Sequence, residues 1–121
     1  MMQAIVATHL PNTNAELTFD AGYPPMAPTA GNRRLLTLYD RVSRDLGLWP
    51  VTAVDPSKAG AADVSFVADL VPMKIDGVGL SGHDDHTTKE TADLRMLPVQ
   101  TKRAALLLYR LSIKTPEASD R

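Results

Sequence analysis

Between Asp20 and Gly31 the chain carries Gly22, Pro24, Pro25, Pro28 and Gly31. Proline has no N–H to give a helix or a sheet ladder, and it drives the residue before it into extended backbone. No regular element can run through such a stretch. It is therefore a connector, and the place where the chain divides into two parts.

The patterns on either side differ. Upstream, Ile5, Val6 and Leu10 recur near helical spacing, and Pro11 closes that pattern. Ala15 to Phe19 alternates apolar and polar residues, which predicts a strand. Downstream, Leu35, Tyr39, Val42 and Leu46 fall at i, i+4, i+7 and i+11, the stripe of an amphipathic helix. Asn32 is its expected N-cap and Gly47 its expected C-terminal cap. Arg33, Arg34, Arg41 and Arg44 form its solvated side. Val51 to Val54 is a short strand candidate. After a loop from Pro56 to Gly60, Ala61 or Asp63 opens a short helix that runs to about Leu70, and Pro72 ends it. Met73 to Val78 reads as a buried strand. Pro98 starts a last helix, with Ala105, Leu108 and Leu111 expected to face inward, and Lys114 to Arg121 reads as a frayed tail. The order helix, strand, helix, strand, loop, helix predicts an α/β class.

A chain of 121 residues, 44% apolar, suffices for one domain with a modest core. Thirteen basic and fourteen acidic side chains give a formal charge of -1, which offers no electrostatic footprint for nucleic acid. The longest uninterrupted apolar run, Ala104 to Leu108, is far short of the roughly 20 residues of a membrane span. There is no cysteine, so thiolate metal sites and disulfides are excluded. Met1 to Leu10 lacks the ordered regions of a secretory signal, which favours the cytoplasm without making the compartment readable.

The densest chemistry lies in Ser81 to Glu90, where two imidazoles and three carboxylates follow the strand-like run. Imidazole nitrogen and carboxylate oxygen are the donors that hold zinc and similar ions. A loop just past a buried strand is also where α/β enzymes keep their sites. The plainer alternative for His86 is a surface histidine in a polar loop. For His83, Asp84 and Asp85 it is simple solvation, and for Asp63 it is a helix N-cap.

Three segments together resemble a known family: "YPPMAPTAGNRRLLTLYDR", "GAADVSFVA" and "IDGVGLSGHDDHTTKETADLRMLP". In this order and spacing they are similar to the C-terminal end of the two-zinc metallopeptidases. That family contains glutamate carboxypeptidases, succinyl-diaminopimelate desuccinylases, aminoacylases and related amidohydrolases. The resemblance implies that residues 1–24 are the last helix and strand of an α+β lid and dimerisation domain. It implies that residues 25–121 are the C-terminal part of an α/β catalytic domain, a sheet flanked by helices. By residue-level match, His86 takes the place of a terminal ligand in a centre of two zinc ions, and the turn holding Gly60 and Asp63 lies near the substrate. The substrate would be a small peptide or an N-acyl amino acid, cleaved at an amide next to a carboxylate, with a homodimer as the assembly. The other zinc ligands and the general base of such enzymes match nothing in this chain, so no catalytic residue is assigned and the isolated chain is expected to be inactive. The alternative is a non-catalytic remnant that acts as a small self-associating module. Two departures stand out: His83, Asp84 and Asp85 replace small residues before His86, and Ala61 and Ala62 add β-carbons to the substrate-side turn.

Overall fold

The helix that organises the fold starts where a hydroxyl can cap it. In the computed structural model, which describes residues 1–20, 22–24, 26–58 and 60–113, Thr29 has extended backbone and its Oγ1 accepts the Asn32 N–H at 3.1 Å. Helix α2 then runs Ala30–Asp45, after a short α1 at Met2–Val6. Asn32 is thus inside the first turn and is not the cap. Its Nδ2 donates to the Ala27 carbonyl at 2.8 Å and its Oδ1 accepts the Lys74 N–H at 3.0 Å, joining three segments at one side chain. Gly31 belongs to the same turn. A β-carbon there would run into the Pro72 carbonyl oxygen, so close packing demands this glycine. Replacing Thr29 by alanine should cost about 1 kcal/mol, the usual worth of an N-cap, read from the shift of a urea unfolding midpoint.

The far end of α2 stops as its sequence predicts. Gly47 has φ of 70°, its N–H bonds the Arg44 carbonyl, and the Leu48 N–H bonds the Ser43 carbonyl. This is the paired-bond Schellman arrangement. Asp40 ties the segment beyond the cap back to the helix. Its carboxylate accepts from Arg44 Nε and from the Val51 N–H, both at 2.8 Å, and these contacts, Arg44 first, hold it below the usual carboxylate range.

The stripe Leu35, Tyr39 and Val42 is buried as expected, with Leu46 half-buried beside it. It packs on Leu107 of helix α3, Met96–Ser112. The rotation of α3 differs from expectation. Arg103 and Leu107 are its buried residues, whereas Ala105 and Leu108 are exposed and Leu111 is 38% exposed. The cause is polar. Arg103 reaches the Ser43 hydroxyl and the Trp49 carbonyl near the end of α2, and this anchor turns the leucines at 108 and 111 outward. The helix also begins two residues before Pro98, which sits in the first turn, where a missing N–H breaks no helical bond.

The expected strands at Ala15–Phe19, Val51–Val54 and Met73–Val78 are not formed among the described residues. Alternating residues set an extended conformation, but a strand also needs a ladder partner. Met73, Ile75 and Val78 do pack against the core as a buried strand would. Yet Ile75 to Leu80 make no main-chain hydrogen bond among the described residues, and Gly77 turns the chain with φ of 70°. Lys74 is buried in this segment, its ammonium donating to the carbonyls of Ala68 and Val71. The one sheet among the described residues is an antiparallel ribbon of β1, Gly82–His83, and β2, Thr91–Ala92, in register Gly82↔Ala92 and His83↔Thr91. The short helix expected from Ala61 or Asp63 to about Leu70 is a 3₁₀ turn, Asp63–Val67, and the loop expected from Pro56 holds another, Pro56–Lys58. The tail reading of Lys114 to Arg121, and Pro25 of the connector, lie outside the described residues. No described helix is long and apolar enough to cross a membrane.

No residue of α1 is buried, and Ile5, Leu10 and Phe19 are exposed.

Candidate functional site

The ribbon holds the His/Asp loop by its two ends. Beyond the register pairs, the Asp93 N–H bonds the Ser81 carbonyl at 2.8 Å. A β-carbon at Gly82 would meet the Thr91 carbonyl, so the crossing is as close as glycine allows. Inside the loop the chain is fixed by its own bonds. The Asp84 carbonyl accepts from the Thr87 hydroxyl at 2.7 Å and from the Thr87 N–H at 3.2 Å. The Lys89 N–H then bonds Thr87 Oγ1 at 3.1 Å, and the Glu90 N–H bonds the Thr87 carbonyl at 3.3 Å.

This winding puts Asp84 at φ of 57° and His86 at φ of 64°. Both are in the left-handed region, which costs energy for a residue with a β-carbon, though Asp and His tolerate it better than most. All side chains from Ser81 to Glu90 are exposed. The His86 imidazole has no hydrogen-bond partner among the described residues, and the residue is exposed. His83 lies on β1, close enough to Asp93 to help lower its pKa. The larger cause is Arg95, whose Nε and Nη2 hold the Asp93 carboxylate at 2.9 and 2.8 Å. The Asp93 carboxylate is therefore already engaged by Arg95.

A zinc ion in a protein normally takes at least three side-chain donors. Among the described residues, no group of three His, Asp or Glu side chains converges tightly enough to hold a metal. The donors present among the described residues do not make up a complete two-metal centre.

Gly60 and Asp63 sit elsewhere on the surface, and both are exposed. A β-carbon at Gly60 would touch nothing, so packing does not require the glycine. Asp63 is not an N-cap. The cap position is Ala62, and Asp63 is the first residue of the 3₁₀ turn. Its carboxylate instead lies beside the Tyr23 hydroxyl and raises the pKa of that phenol above its ordinary value. The Tyr23 ring meets Phe66 edge-on, centroids 4.9 Å apart. The connector is thus docked on the 3₁₀ turn that carries Asp63.

The most elaborate polar cluster is one that apolar periodicity does not mark. Arg103, 3% exposed, donates from Nε and Nη2 to Ser43 Oγ at 3.0 and 2.8 Å, and from Nη1 to Gln100 Oε1 at 3.2 Å. Its guanidinium stacks 4.8 Å from the Trp49 ring centre. The Tyr39 hydroxyl donates to the same Gln100 oxygen at 3.1 Å, and burial raises the Tyr39 pKa. Gln100, Arg103 and Leu107 lie at helical spacing, but two of the three are polar, so they do not stand out as an inward stripe. Every buried side-chain polar atom among the described residues has a partner, so the cluster is a closed structural network.

No protein-family model, curated protein or solved structure matches the chain.

Proposed function

We propose that the chain is the C-terminal portion of a zinc-dependent hydrolase of the two-zinc metallopeptidase type, with His86 a terminal ligand and the remaining ligands and general base supplied by other polypeptide. The observation that carries this reading is the backbone at His86. A β-carbon-bearing residue at φ of 64° is held there by the hydrogen bonds of its own loop, with its imidazole free of protein partners among the described residues. Strained conformations of this kind concentrate at functional sites, where the surroundings over-determine them. A free imidazole on a fixed loop is what a terminal metal ligand needs.

Two further features support the reading. Met73 to Val78 packs like a sheet strand yet lacks ladder neighbours among the described residues, which suits a strand whose partners are encoded elsewhere. Exposed apolar side chains at Ile5, Leu10 and Phe19 suit a part that shares its core with more polypeptide. The substrate class is a small peptide or an N-acyl amino acid, cleaved at an amide next to a carboxylate, with Gly60 and Asp63 on the substrate side. When bound, paired zinc ions supply carbonyl polarisation and a water of lowered pKa. The part of this chain is to present one neutral imidazole from a stiff loop.

A zinc titration of the chain, followed by the imidazole resonances of its three histidines, tests the ligand assignment. The His86 signals should shift first and weakly, without stoichiometric capture, and no N-acyl amino acid should be hydrolysed. Earlier shifts at His9 or His83, with His86→Ala leaving the titration unchanged, would refute it.

A further inference from the structure

Asp76-Gly77 is the only place in the sequence where an aspartate or asparagine precedes a glycine. Such a pair carries a chemistry of its own. The main-chain nitrogen of the second residue can attack the side-chain carboxyl carbon of the first and close a five-membered ring, a reaction that intramolecular proximity favours. Glycine helps because no β-carbon crowds the nitrogen. A ladder or a helix normally suppresses the attack. It holds the N–H in a hydrogen bond and fixes the torsion that must turn to bring nitrogen and carboxyl together.

Among the described residues, none of these restraints acts on the pair. The Gly77 N–H makes no hydrogen bond, the Asp76 carboxylate has no partner, and both residues are exposed. Gly77 has φ of 70°, and a β-carbon built on it would touch nothing, so the carboxyl has room to turn and water has room to enter. Other aspartates are restrained. Asp40 lies inside α2 with its carboxylate held by Arg44 and the Val51 N–H, and Asp93 is held by Arg95. Asp55 precedes proline, which has no N–H. The segment itself is fixed on either side of the pair. Asn32 holds the Lys74 N–H, and Val78 packs on the core.

We propose that Asp76 is a site of spontaneous isomerisation to isoaspartate in the folded chain. The Gly77 nitrogen bonds to Asp76 Cγ, its proton and the carboxyl hydroxyl leave as water, and a cyclic imide remains. Water then opens the imide. Opening at Cγ restores aspartate. Opening at the main-chain carbonyl leaves the chain running through Cβ and Cγ, with the former main-chain carbonyl now a free carboxylate. The water lost in the first step is regained in the second, so mass is unchanged and no other reactant is consumed. The backbone gains one carbon between Ile75 and Val78, which both pack on the core, so the product cannot keep both seated without a shift of the segment. The new carboxylate is the group that isoaspartyl methyltransferases methylate from S-adenosylmethionine, which makes a repair enzyme of that kind the partner class. Nothing in the inference draws on the His86 loop or on the hydrolase reading.

The test is to incubate the purified chain, folded and in urea, warm and at neutral pH. Both samples are then probed with an isoaspartyl methyltransferase and labelled S-adenosylmethionine. The folded chain should accumulate label at a rate within several-fold of the chain in urea. Asp76→Glu keeps the charge but cannot close a five-membered ring, and it should lose the label. This variant also assigns the residue, because trypsin releases Ile75 to Lys89 as one peptide that holds Asp84 and Asp85 as well. Asp76→Asn should label faster with unchanged circular dichroism, since ammonia leaves the ring-closing step more readily than water. A folded chain that stays unlabelled while the chain in urea labels, label that survives Asp76→Glu, or Asp76→Asn labelling no faster than the native chain would overturn the proposal.

Discussion

Arg103→Ala should destabilise the chain by roughly 3 kcal/mol. The guanidinium is almost wholly buried and bonds Ser43 and Gln100 while stacking on Trp49. Alanine removes these charge-assisted bonds and opens a hole between α2, α3 and the segment at Trp49. The loss weighs heavily because the apolar core is small: among the described residues four are buried, Leu35, Tyr39, Val42 and Leu107. Stabilities of small domains start near 5 kcal/mol, so the variant should be substantially unfolded at moderate urea, as far-UV circular dichroism would report. Arg103→Lys should recover part of the loss only. An ammonium is a point donor and cannot span Ser43 and Gln100 as the planar fork does. A change below about 1 kcal/mol for Arg103→Ala would mean that the cluster is not closed in solution.

Neighbouring leucines on α3 should respond very differently. Leu107 is 8% exposed and Leu108 67%. Leu107→Ala should cost about 3 kcal/mol, from lost transfer energy plus the cavity left against Val42 and Tyr39. Leu108→Ala should change the stability of the folded chain by less than about 0.5 kcal/mol, the range of ordinary surface substitutions. Urea midpoints of the two variants, measured at low protein concentration, decide the rotation of the helix. Equal losses, or a larger loss for Leu108, would restore the inward face that the apolar pattern alone suggests.

The contrast shows what a linear pattern conveys. The stripe on α2 is legible because all four of its members are apolar and Gly47 marks its end, a position at φ of 70° that favours glycine. The stripe on α3 is not, because its inward face includes Gln100 and Arg103. The burial of Arg103 depends on Ser43 and Trp49, more than fifty residues away. The cap of α2 is ambiguous for a local reason. Thr29 and Asn32 both suit an N-cap, and only the reach of Asn32 to Lys74 assigns Asn32 to another task. Met73 to Val78 is legible as an extended, core-facing segment. Its pairing is not, because ladder partners are a property of the whole sheet. At the candidate site, the imidazoles and carboxylates are visible as a cluster. The left-handed backbone at Asp84 and His86, and the capture of Asp93 by Arg95, require the folded loop.

The central claim, that this polypeptide contributes a single imidazole donor to a metal centre completed by other donors, is tested most directly by equilibrium dialysis. The purified chain would be dialysed against micromolar zinc and its retained metal counted. The account predicts retention well below one ion per chain, unchanged by His83→Ala. Retention of two ions per chain, abolished by His86→Ala, would contradict it.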